Sequence, residues 1–157
     1  MQRLNIPNEI LLPEIEKLLA SGTCVTLRTK GNSMLPFIVG DRDCVTLEPA
    51  DNLRLKDIVL AHLPNGHFVL HRIIHIKGEY ITLMGDGNLS GKEYCLAKDI
   101  CGKVKTIRKK EKNIDPNTKA ERLKAAVWLK ILPVRRYLLA IYRRIYLRNI
   151  KFLNDPG

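Results

Sequence analysis

The sequence predicts a mainly β, α+β domain: a short leading helix, an antiparallel β body and a basic helical tail. Five or six short apolar or alternating runs between Cys24 and Ile107 are separated by tight-turn residues. Helical periodicity is confined to the start of the chain and to residues 119–151. Strand and helix patterns do not alternate, which argues against βαβ units. The length of 157 residues suits one domain with an appendage, and 45% hydrophobic residues excludes wholesale disorder.

Ile10–Ala20 is expected to form an amphipathic helix, with Pro13 in its first turn, Leu12, Ile15, Leu18 and Leu19 as its apolar stripe, and Gly22 placed to end it. Cys24–Thr29 alternates as a strand should, and Cys44–Leu47 is a short apolar run. Ile58–Leu63 and His67–Ile76 flank Pro64-Asn65-Gly66, a hairpin signal. A turn at Lys77-Gly78-Glu79 leads into Tyr80–Met84, and Ile100–Ile107 closes the body.

These elements divide the chain into a body (1–107), a charged, turn-rich linker (108–118) and a tail (119–153) of two helices split at Pro133. Val134, Leu138, Ile141 and Ile145 should share one stripe of the second helix, with Arg136, Arg143, Arg144 and Arg148 away from it. Of the net charge of +11, residues 119–151 carry +9, so the body is nearly neutral. The four cysteines have neither CxxC nor zinc-finger spacing, so neither a metal nor another cofactor is expected. The N-terminal segment carries acids within its apolar run, unlike a secretory signal, and no run of 18 uncharged apolar residues occurs. The expected location is therefore the cytoplasm.

Chemistry concentrates in four segments: Gly31-Asn32-Ser33-Met34-Leu35-Pro36, Lys56-Asp57-Ile58-Val59, Val69-Leu70-His71-Arg72-Ile73 and Gly85-Asp86-Gly87-Asn88. Ser33 would sit in a turn between strands, where Gly31 permits close backbone approach and Pro36 stiffens the exit. A serine hydroxyl becomes a useful nucleophile once a neighbouring base accepts its proton. His71 is the natural base, because imidazole titrates near neutral pH. Asp86 would hold its tautomer and stabilise its protonated form.

The first segment resembles the Ser-Met-x-Pro signature of type I signal peptidases, whose fold is shared by the LexA-like self-cleaving regulators. Lys56-Asp57-Ile58-Val59 is similar to the Gly-Asp-Ile/Val-Val strand of those proteins. His71-Arg72-Ile73 looks like the His-Arg-Val/Ile of endoplasmic-reticulum-type and archaeal signal peptidases, and Gly85-Asp86-Gly87-Asn88 resembles their Gly-Asp-x-Asn box. The likeness covers about residues 23–107. It implies a LexA/signal-peptidase-like antiparallel β domain with Ser33 as nucleophile. His71 stands where ordinary bacterial signal peptidases and LexA-like proteins carry lysine, and Asp86 would be the orienting member. The oxyanion would rest on backbone groups, the Ser33 N–H among them, because Gly31 lacks the hydroxyl that some relatives supply there. Met34 and Pro36 would line the substrate pocket. Two departures stand out: no spanning helix precedes the serine segment, and Lys56 replaces a glycine.

The resemblance implies a serine endopeptidase removing a leader or signal segment from a peptide or protein. Two alternatives are a LexA-like self-processing regulator and a non-enzymatic peptide- or membrane-docking module. Self-processing has only Ser21-Gly22 as an upstream small-residue–glycine bond. The tail has three readings: peripheral contact with an anionic membrane on its inner face, packing of its apolar stripe on the body or another subunit, and nucleic-acid binding. No recognised motif supports the last.

Overall fold

The computed structural model describes residues 8–147. Helix α1 (Asn8–Ala20) precedes strands β1 (Val25–Arg28), β2 (Cys44–Pro49), β3 (Ile58–His62), β4 (Phe68–Lys77), β5 (Tyr80–Met84), β6 (Glu93–Leu96), β7 (Ile100–Arg108) and β8 (Asn113–Ile114). Helices α2 (Lys119–Lys130) and α3 (Leu132–Tyr142) follow, and Arg143–Leu147 continues as a π-helical turn. The strands form one antiparallel sheet in the order β1-β2-β7-β3-β4-β5-β6, with β8 paired to β7. The expected mainly β, α+β class is the one observed.

Local chemistry accounts for the element ends. Gly22 adopts φ +89°; it donates to Leu19 O, and Thr23 N–H reaches back to Leu18 O, closing α1 with a left-handed cap. Ile15 and Leu19 of α1 are buried in a core cluster with Val45, Leu47, Leu60 and Val104, whereas Leu18 is exposed. Gly66 turns the β3–β4 hairpin with φ +86°. Strand β7 is the hub, pairing with β2, β3 and β8.

Two parts differ from expectation. The stretch 108–118 contains the end of β7, a turn closed by Lys109 N–H to Lys112 O, and β8; its last residue, Thr118, caps α2 through its hydroxyl. It is structured because β8 completes a hairpin with β7, and backbone pairing overrides a charged composition. The second difference is the orientation of α3. The stripe Val134, Leu138, Ile141 and Ile145 is exposed, and the face turned to the body carries Arg135 and Leu139, 1% and 2% exposed. The tail does pack on the body, through Trp128 and Leu139 against Leu35 and Val39, but α3 does so with the face about 100° round from the predicted stripe. Of the tail residues considered above, Arg148 and the stretch 149–153 lie outside the described residues.

Candidate active site

The Ser33 segment belongs to the loop joining β1 to β2. Thr29 N–H donates to Asp43 O at 3.0 Å and Asp41 N–H to Thr29 O at 2.8 Å, closing the loop's neck. The fully buried Asp43 carboxylate accepts Val39 N–H at 2.9 Å and pairs with Arg42. Gly31 adopts φ +74°, and Gly40 lies so near it that a Cβ on Gly40 would overlap the Gly31 backbone. Buried Leu35, Ile38 and Val39 anchor the loop, leaving Ser33 half-buried.

The turn Gly85–Asn88 is built around the serine's backbone. Gly87 N–H donates to Ser33 O at 2.8 Å. A side chain on Gly87 would meet Asn32 O and the Ser33 carbonyl, and one on Gly85 would overlap Ser33 O while lying 3.0 Å from His71 Nε2. The Ser33 carbonyl oxygen and His71 Nε2 therefore flank the same point above Gly85. Continuing the β4–β5 register from Arg72↔Met84 by one residue sets His71 opposite Gly85. With no Cβ in the way, the imidazole leans across that position.

Its other nitrogen meets a carboxylate from β6. His71 Nδ1 lies 2.7 Å from Glu93 Oε2, with the imidazole only 7% exposed. A carboxylate accepts only, so this bond sets the proton on Nδ1 and frees the Nε2 lone pair. Ser33 Oγ and His71 Nε2 do not form a hydrogen bond here; such contacts commonly tighten only when substrate is bound.

Asp86, expected to orient the histidine, does something else. Arg72 Nε–H and Nη2–H donate to its two oxygens at 2.8 and 2.7 Å, and both residues are buried. The guanidinium fork occupies the carboxylate bidentately, and Arg72 also donates to Lys56 O at 2.8 Å. The orienting partner is thus corrected from Asp86 to Glu93. Glu93 was missed because β6 is four residues long with little apolar alternation, and no spacing rule ties it to a histidine two strands away. An acid followed by Tyr94-Cys95-Leu96 was the one available hint of a strand.

Met34 is likewise placed elsewhere than expected. It is 4% exposed in the core, and its sulfur accepts Asp86 N–H at 3.5 Å, so it supports the loop instead of facing a substrate. Pro36 is half-buried and lines two open apolar grooves, one with Phe37, Val127 and Trp128 (about 600 Å³) and one with Leu138, Ile141 and Tyr146 (about 460 Å³). At Gly31 the constraint is the positive φ, since a Cβ there would meet nothing; the close approach depends on Gly40.

Two of the four thiols, Cys95 and Cys101, are poor nucleophiles. Burial pushes Cys95 up to about 11 and Cys101 to about 12, which keeps both protonated near neutral pH. Among the described residues no group of three or more His, Cys, Asp or Glu side chains could hold a metal ion.

A curled antiparallel β body with a short leading helix, and with its serine segment on a braced loop between β1 and β2, is the fold of the LexA/signal-peptidase-like superfamily. A family model described as Peptidase S24-like matches residues 3–105, and the chain belongs to that family. The family is one of peptidases and self-cleaving regulators, which agrees with the resemblance read from the motifs. No curated protein matches the sequence.

Proposed function

We propose that the protein is a serine endopeptidase that cleaves a leader or signal segment from a peptide or protein, with Ser33 as nucleophile and His71 as general base. The observation that carries this reading is the His71 Nδ1–Glu93 bond, with Nε2 turned toward the Ser33 backbone across Gly85. In the first step Ser33 Oγ bonds to the scissile carbonyl carbon as His71 Nε2 takes the hydroxyl proton. Collapse of the tetrahedral intermediate breaks the C–N bond, and His71 gives that proton to the departing amine. Water then hydrolyses the acyl-enzyme by the same base. Glu93 stabilises the imidazolium in each transfer, and backbone N–H groups of the serine loop, Ser33's own included, hold the oxyanion.

Self-processing is disfavoured by the position of Ser21-Gly22, which is locked in the cap of α1 by backbone hydrogen bonds. A fluorophosphonate probe tests the main reading. The wild type should be acylated at Ser33, and His71→Ala should slow labelling by about 10³-fold or more. A wild type that resists labelling, or full peptidase activity in Ser33→Ala, would overturn it.

The tail's outer face supports a location. Val134, Leu138, Ile141 and Ile145 are each 44–61% exposed in a tail whose residues 119–151 carry +9, and no described helix is long and apolar enough to cross a membrane. We infer that this face lies on an anionic bilayer, apolar residues below the headgroups and arginines among them, on the cytoplasmic side. Sedimentation with phosphatidylglycerol vesicles should carry the protein down, and phosphatidylcholine vesicles should not. Leu138→Glu/Ile141→Glu should stay in the supernatant. Self-association abolished by the same substitutions, without vesicle binding, would assign the face to a second copy instead.

A further inference from the structure

We propose that α2 and α3 form a positioning clamp on the active-site turn, with Trp128 and Arg135 as its positioning residues. The inference rests on the peptidase reading of Ser33 and adds a part of the machinery that lies outside the family match at 3–105. Three consecutive carbonyls of the Gly85–Asn88 turn accept hydrogen bonds from the tail. Trp128 Nε1–H donates to Asp86 O at 2.8 Å, Arg143 Nη2–H to Gly87 O at 3.4 Å and Arg135 Nη1–H to Asn88 O at 3.1 Å. On its inner side the same turn donates Gly87 N–H to Ser33 O. The tail also reaches the serine loop directly, where Trp128 and Leu139 bury Leu35 and Val39. Both halves of the candidate site are thus gripped by one pair of helices.

Arg135 is the informative member. Its side chain is 1% exposed, its bonds go to two neutral carbonyls, Asn88 O and Trp128 O, and its buried Nε has no partner. The charges facing it are Asp86 and Arg72, which already satisfy one another. An apolar side chain of similar length would dock α3 at least as well, since replacing a poorly paired buried charge is often neutral or stabilising. The guanidinium does what such a side chain would not: it ties Asn88 O to Trp128 O, fixing the turn to the helix pair.

Full-length Arg135→Met and Trp128→Phe separate a clamp from a mere packing contact. The measurements are the urea midpoint, native-state hydrogen exchange at the Gly87 amide, and Ser33 acylation by a fluorophosphonate. Arg135→Met should keep or raise the urea midpoint, yet speed Gly87 exchange and slow acylation by about 10- to 100-fold, the scale of a small misplacement of reacting groups. Arg135→Lys, which keeps a donor, should recover part of both. Trp128→Phe keeps the ring, loses one donor and should shift both readouts in the same sense; it carries the test if Arg135→Met does not fold. Unchanged Gly87 exchange in the folded variants overturns the clamp, whatever acylation does. A wild type that the probe fails to label would sink the peptidase reading, while Gly87 exchange would still decide the clamp.

Discussion

Asp86 and Glu93 both stand near the His71–Arg72 pair of β4, and their partners give them different work. Asp86 neutralises a buried guanidinium, whereas Glu93, with a side chain 23% exposed, touches only the rim of the core and holds the imidazole. Glu93→Gln should therefore lower kcat by about 10²–10⁴ through loss of the orienting charge. Its urea stability should stay within about 0.5 kcal/mol of wild type. Asp86→Ala should instead cost about 3–5 kcal/mol, because it strands the Arg72 charge in the interior. Equal stability loss in the two variants would contradict this division. Lys56 gives a second contrast. It adopts φ +74°, which explains why glycine is usual at this place in the motif it resembles. Lys56→Gly should raise stability by about 0.5–1 kcal/mol in chemical denaturation, with Asp57 unaffected in its bonds to Arg54 N–H and Arg122.

Among the elements, α3 separates apolar pattern from burial most clearly. Its periodic stripe faces outward, and the body receives the side bearing Arg135 and Leu139. Leu139→Ala should cost about 2–5 kcal/mol, as removal of a fully buried leucine does. Leu138→Ala, at a position 44% exposed, should cost less than about 1 kcal/mol. The reverse ranking by thermal or urea unfolding would put the stripe back on the body. The strands behaved more simply. Val25–Arg28, Ile58–His62 and Tyr80–Met84 appear close to their expected limits because each alternates or forms a continuous apolar run between glycine or proline turns. Strands β6 and β8 carry no such pattern; partners already in place, β5 and β7, recruit them.

Over the whole molecule, the helical tail and the β body share a core. Trp128 packs edge-on against Phe37 at 6.2 Å between ring centres, and Arg122 of α2 donates to the buried Asp57 at 2.9 Å. A body and an independent tail would unfold separately, but this shared core should give one transition. Fluorescence of Trp128, the single tryptophan, and far-UV circular dichroism should therefore report the same urea midpoint. Two separated midpoints would show that the helices dock without contributing to the fold.

The amino-acid order alone determined the class of fold, the hairpins and the leading helix. Each of these depends on short-range periodicity, turn residues or motifs contained within a few neighbours. The partners of Asp86 and His71, the role of Met34, the packed face of α3 and the grip of Trp128 and Arg135 on the serine's turn required the folded chain. Those relations join residues from separate strands and helices, where a guanidinium, a carboxylate and an imidazole compete for the same few hydrogen bonds. Which pair wins is set by distance and burial, and spacing along the polypeptide encodes neither.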